Sequence, residues 1–163
     1  MKFAPLLAGL LLVTGCQQGA ERDQSADRAA IHALLVDYGA TLDARDFDGF
    51  AELFAEGGVY VAGTGDGVNG AQAGAMMEQV FAENALGFRE PNYHLFFNEV
   101  VNFDDADHAS ASSMSLYMVP DEAGRPSPAM MARYEDEIVR ENGTWKFLRR
   151  EVHSLLPAPP VAD

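Results

Sequence analysis

Cysteine is almost absent. Cys16 is the only one in 163 residues, so no disulfide can form within the chain. Basic residues are scarce as well: 11 Lys and Arg stand against 25 Asp and Glu, giving a formal charge of −14. That balance excludes a nucleic-acid partner, whose phosphates need a basic footprint, and direct adsorption to anionic lipid heads. It leaves a well-solvated acidic surface. The longest apolar run, Phe3 to Val13, is too short to cross a bilayer as a helix. Zinc-site spacings and a nucleophile elbow are missing. Gly63, Gly65, Gly67 and Gly70 miss the dinucleotide spacing and no P-loop lysine follows, so they read as a loop. Asp104, Asp105, Asp107 and His108 lack calcium-loop spacing and read as a hairpin turn. Neither a metal nor any other cofactor is expected, and there is no internal repeat.

What is present begins with an address. Lys2 and the apolar run form the n- and h-regions of a signal peptide, and Val13-Thr14-Gly15-Cys16 resembles the lipobox of bacterial lipoproteins. The expectation is a signal peptide over residues 1–15, a lipidated Cys16 and a flexible tether over 16–25. A folded domain over 26–155 and a flexible tail over 156–163 complete the division. Gln17 after the cysteine favours, by analogy, a lipid anchor in the outer membrane facing the periplasm. The residues left after the leader suffice for one domain with a proper core.

Within the domain the apolar period changes once. Ile31, Leu34, Leu35, Tyr38 and Leu42 lie at helical spacing, which predicts a helix over about 26–43 with Ser25 or Asp27 as cap. His32 lies off that stripe. Asp46 caps a second helix whose Phe47, Phe50, Leu53 and Phe54 face inward, closed by Gly57-Gly58. Val59 to Val61 reads as a short strand and Ala71 to Ala85 as a third helix. From residue 93 onward the pattern is that of strands, about 93–103, 108–119, 129–141 and 144–153. Asn142-Gly143 is a type I′ hairpin signal between the last two. Helices first and strands afterwards define an α+β domain, its N-terminal helices packed into a curved antiparallel sheet.

Tyr38, Asp43-Ala-Arg-Asp46, Leu53-Phe54, His94 with Asn98, Arg133-Tyr-Glu-Asp136, and Gly143-Thr-Trp-Lys-Phe147 followed by Arg149-Arg150 form an ordered set. In order and spacing it resembles the SnoaL-like, scytalone-dehydratase-like members of the nuclear transport factor 2-like superfamily, over nearly all of residues 26–153. The resemblance implies a cone with a deep, mostly apolar pocket. It also implies a choice among dehydratases, isomerases, cyclases and members that only bind or scaffold. The dehydratase's second pocket histidine has no counterpart, since Ser110 to Ser115 occupies that strand.

Tyr38, Asp43 and His94 are the candidate catalytic residues. In a dry pocket Asp43 would fix the tautomer of His94, Tyr38 would donate to a ketone or enone oxygen, and His94 would move a proton beside that carbonyl. Strand parity puts His94, Phe96, Asn98 and Val100 on one face and Leu95, Phe97, Glu99 and Val101 on the other. The resemblance places His94 inside and favours Arg150 over Arg149. Tyr60, Asn98, Tyr134 and Arg150 are the candidate substrate-binding residues. The expected function is a cofactor-independent dehydratase or isomerase acting on a small cyclic hydroxyketone or enone. The alternative is a non-catalytic, lipid-anchored module that binds a small apolar molecule or scaffolds a partner. Each candidate has a plainer reading: Tyr38 as core, Asp43 as a helix-terminal carboxylate, His94 as a structural histidine, Arg150 as an ion pair. The expected ligand is a small apolar molecule with a polar carbonyl or hydroxyl. The face bearing Leu95, Phe97 and Val101 predicts a homodimer.

Overall fold

A computed structural model describes residues 24–63, 65 and 67–156. The expectations for the leader, for Cys16 and for the tail from 157 onward concern residues outside that set. Helix α1 spans Ser25–Ala44, α2 Phe47–Glu52 and α3 Gly70–Glu83. The strands are β1 (Phe54–Ala62), β2 (Val68–Asn69), β3 (Tyr93–Phe103), β4 (His108–Pro120), β5 (Pro126–Glu141) and β6 (Thr144–Leu156). They form one six-stranded sheet in the order β2-β1-β6-β5-β4-β3, which leaves β3 on an edge. The α+β reading holds, with one refinement. β1 runs parallel to β6, so the sheet is mixed rather than wholly antiparallel.

The helices begin and end for local reasons. α1 has Gln24 at its N-cap without a side-chain cap bond, so neither Ser25 nor Asp27 caps it. Asp27 is instead buried against the sheet, accepting from Trp145 Nε1 at 3.3 Å and pairing with Arg140 at 2.5 Å. α1 stops where Arg45 turns left-handed at φ 61°, its N–H satisfied by Leu42 and Thr41 carbonyls. Asp46 then caps α2 through Gly49 N at 2.9 Å, as its position predicts. α2 ends before Leu53 and Phe54, because the sheet takes that backbone: Phe147 N donates to the Leu53 carbonyl at 2.9 Å, and Phe54 pairs with Phe147. β1 therefore starts earlier than the short run predicts, and its ladder shifts between Phe54 and Val59, where Gly57 takes φ +73°. Gly63, Gly65 and Gly67 lie outside helices and strands, the short strand β2 follows, and Asn69 caps α3, which begins at Gly70, through Ala71 N.

Two bulges reset which side chains enter the cone. In β3 the ladder with β4 slips between Phe97 and Val100, with Asn98 at φ 54°. A one-residue slip flips every later side chain to the opposite face. His94 and Phe96 face inward before it, and Val101 and Phe103 after it, while Asn98 and Val100 are exposed. In β6 the slip lies at Leu148, between the pairs Ile138↔Phe147 and Glu137↔Arg149. Trp145, Phe147 and Arg150 consequently all point inside. The expected dimer face changes with the first bulge: Val101 is core, and the exposed apolar residues of β3 are Tyr93, Leu95 and Val100.

Candidate active site

The centre of the cone is packed rather than open. Arg150 and Asp136 face each other across β6 and β5, Nη1 to Oδ2 at 2.9 Å, both side chains fully buried. The Arg150 guanidinium lies 4.0 Å from the Tyr38 ring centre, 4.2 Å from Tyr134 and 4.5 Å from Phe147. Such stacking in a dry interior supports the cation. Burial pushes the Asp136 carboxyl up to about 6, with the Arg150 charge pulling it back. Tyr38 and Tyr60 hydrogen-bond through their hydroxyls at 2.9 Å, and Tyr134 with Ser115 at 3.0 Å. Burial raises all three phenols, Tyr60 to about 12, so each remains protonated.

The catalytic candidates divide here. Asp43, in the last turn of α1, meets His94 on β3: Nδ1 lies 2.7 Å from Asp43 Oδ1, and His94 N donates to Oδ2 at 2.9 Å. A carboxylate only accepts, so Nδ1 carries a proton, and in the neutral imidazole Nε2 presents its lone pair. His94 Nε2 has no hydrogen-bond partner among the described residues. The side chains are only 11% (His94) and 17% (Asp43) exposed, so the pair is sheltered yet reachable. Tyr38 packs its ring edge-on to His94 at 6.3 Å, but its hydroxyl is committed to Tyr60.

The pair opens into a groove of about 340 Å³ between α1 and the edge strand β3. Leu35, Val36, Ala40, Leu95, Phe96 and Phe97 give it apolar walls, and Asp43 and His94 lie at one end. Of the sequence candidates, only Asp43 and His94 line it. Tyr38, Tyr60, Tyr134 and Arg150 belong to the packed interior, because aromatic rings close around the guanidinium. Asn98 is corrected outright. The bulge turns it outward, where its amide meets Met114 Sδ at 3.7 Å and no other hydrogen-bond partner among the described residues.

Tyr117, which the sequence reading missed, packs against His94 with ring centres 4.8 Å apart and the planes tilted by 48°. Burial pushes its phenol up to about 12. The Arg45 charge opposes that rise, and the Asp43 and Glu90 charges add to it. Tyr117 is not among the residues that line the groove.

Gly39 allows this geometry. A Cβ there would stand 2.7 Å from Phe96 Cε2 and 2.9 Å from His94 Cβ, so only glycine lets α1 approach β3 this closely. Gly39→Ala should improve intrinsic helix propensity by about 1 kcal/mol yet force the two elements apart at a cost of about 1–3 kcal/mol. Thermal unfolding should show a net loss, and the His94 ring NMR signals should shift as its contact with Asp43 lengthens. A melting temperature equal to or above the parent's would contradict this reading.

Residues 23–151 match the model of the SnoaL-like domain family, and the chain belongs to that family. Solved structures of the nuclear transport factor 2-like, cystatin-like fold agree. One such protein from Novosphingobium aromaticivorans is 23% identical with a TM-score of 0.68, over 80% of this chain and 82% of that one. A candidate scytalone dehydratase from the same organism is 23% identical with a TM-score of 0.67, over 85% and 95%. LinA is 22% identical with a TM-score of 0.68, over 85% and 92%. At these identities the likeness carries the fold. No curated protein matches the sequence significantly.

Proposed function

We propose that the protein is a cofactor-independent dehydratase or isomerase acting on a small cyclic hydroxyketone or enone. The observation that carries the reading is the Asp43–His94 pair, its unbonded Nε2 beside an apolar groove. Asp43 accepts hydrogen bonds from both the Nδ1–H and the backbone N–H of His94, so the imidazole is held in one tautomer and one orientation. His94 Nε2 removes a proton from the carbon beside the substrate carbonyl, and the electron pair moves onto oxygen as an enolate. The enolate then collapses. In dehydration it expels the β-hydroxyl, which takes the proton from His94 and leaves as water, and in isomerisation the proton returns to another carbon. The SnoaL-like family and the similarity to a candidate scytalone dehydratase support this class of chemistry.

The test is exchange before turnover. Incubated in deuterated water with a panel of cyclic β-hydroxyketones and enones, the protein should place deuterium at the α-carbon of at least one. Binding of several panel members without any exchange would favour the alternative, a module that only holds its ligand.

As partner we propose a second copy of the chain, paired over Tyr93, Leu95 and Val100, each more than half exposed. It would also close the outer rim of the groove at Leu95. Light scattering at micromolar concentration should give twice the chain mass, and Leu95→Asp should halve it. A monomeric mass for the parent would refute the pairing.

A further inference from the structure

The groove has two polar ends, and the chemistry proposed above uses one. At the other end His32 Nδ1 lies 2.6 Å from Glu99 Oε2. The contacts Asp43–His94 and His32–Glu99 show that α1 runs antiparallel to β3. From His32 to Asp43 the helix rises about 16 Å at ~1.5 Å per residue. From His94 to Glu99 the strand covers about the same length at ~3.3 Å per residue. The groove is therefore long for its volume, which suits a narrow ligand rather than a compact one.

A second observation marks the far end. Ser113 of β4 stands opposite the bulge that contains Asn98 and Glu99, between the pairs Phe97↔Met114 and Val100↔Ser112. It lines the groove, is 2% exposed, and its Oγ has no hydrogen-bond partner among the described residues. A buried hydroxyl in that condition is costly to keep unless something bonds to it. His32 and Glu99 line the same groove, and when the imidazole is neutral its Nδ1–H donates to Glu99, which leaves Nε2 as an acceptor. Ser113 Oγ can donate to a ligand oxygen, and His32 Nε2 can accept a ligand proton. An alcohol or phenol meets both requirements, whereas a carboxylate lacks the proton and would face Glu99.

We propose that the groove binds a rod-shaped, largely apolar molecule carrying an uncharged hydroxyl at the end remote from the carbonyl, with Ser113 and His32 as the residues that select it. The proposal rests on the groove being the substrate site. It goes beyond that reading by fixing the length of the molecule and its second functional group.

The probes are 4-phenylcyclohex-2-enone and its para-hydroxy and para-carboxy derivatives, titrated calorimetrically into the full chain. The para-hydroxy compound should bind at least about tenfold more tightly than the phenyl compound, as two neutral hydrogen bonds imply. The para-carboxy compound should bind most weakly. Ser113→Ala and His32→Ala should each bring the hydroxyl preference close to one. Ser113→Ala should melt no lower than the parent, because it removes an unpaired buried hydroxyl, and His32 is exposed enough to replace without unfolding. Equal affinity for all three probes, with α-deuteration that disappears in His94→Ala, would overturn this inference and leave the proposed chemistry standing. A hydroxyl preference without deuteration would support the inference and count against the chemistry. No binding of any probe would overturn both.

Discussion

Arg150→Met should destabilise the fold by about 3–5 kcal/mol at neutral pH, the usual cost of leaving one partner of a buried ion pair uncompensated. Asp136 would then be a fully buried carboxylate with no cation beside it. Already in the parent its carboxyl is raised to about 6 from 3.8 by burial, with Arg150 opposing the rise. Removing that opposition raises it further. A carboxyl raised in the folded state contributes stability that is complete below its unfolded value, near 3.8, and is lost as pH climbs through the folded value. The deficit of Arg150→Met should therefore be largest above pH 7 and shrink as the solution is acidified toward pH 4. The double variant Arg150→Met, Asp136→Leu should recover most of the loss and remove its pH dependence, because an apolar pair of similar volume replaces a costly ionic one. Denaturant titrations across that range check both statements. A deficit that does not vary with pH would mean that Asp136 is not the group left stranded.

The second large effect is on turnover. On any substrate identified by α-deuteration, His94→Ala should lower kcat about 10²- to 10⁴-fold, the range for a positioned general base. Asp43→Asn should cost nearly as much. An asparagine amide turned toward Nδ1 favours the wrong tautomer and places the proton on Nε2, where the lone pair is needed. The double variant should be little worse than either single one, since the two act as a unit. Each loss should appear in kcat more than in KM, because the groove walls that bind the ligand are untouched. Additive losses, or a His94→Ala variant that turns over normally, would remove the pair from the mechanism.

The layout of elements was legible because apolar periods and turn residues are local signals. α1, the capping role of Asp46 and the Asn142-Gly143 turn, whose two residues both take positive φ, follow from them directly. What was not legible traces to two one-residue bulges. Counting back from the Asp104–Asp107 turn along an unbroken ladder places Met118 opposite His94. The slip between Phe97 and Val100 puts Tyr117 there instead and turns Asn98 outward. Simple alternation in β6 sets Arg150 on the face opposite Trp145 and Phe147, yet the bulge at Leu148 brings all three inside. Bulges carry no composition signature here, so parity fails beyond them. Tyr38 failed for another reason. Its place on the apolar stripe was correct, but the burial that the stripe implies gives its hydroxyl to Tyr60, away from the groove.

The edge position of β3 has a practical consequence for anyone mutating the site. Edge strands left open recruit other chains. Two α1 side chains blunt this one: Asp43 accepts the His94 N–H, and Arg28 donates to the Val101 carbonyl at 2.9 Å. The carboxylate that orients the imidazole is thus also a guard against intermolecular strand pairing. Purification yield and colony-level activity would then fall together in Asp43 variants, and a screen scored in crude lysate would mistake lost solubility for lost chemistry.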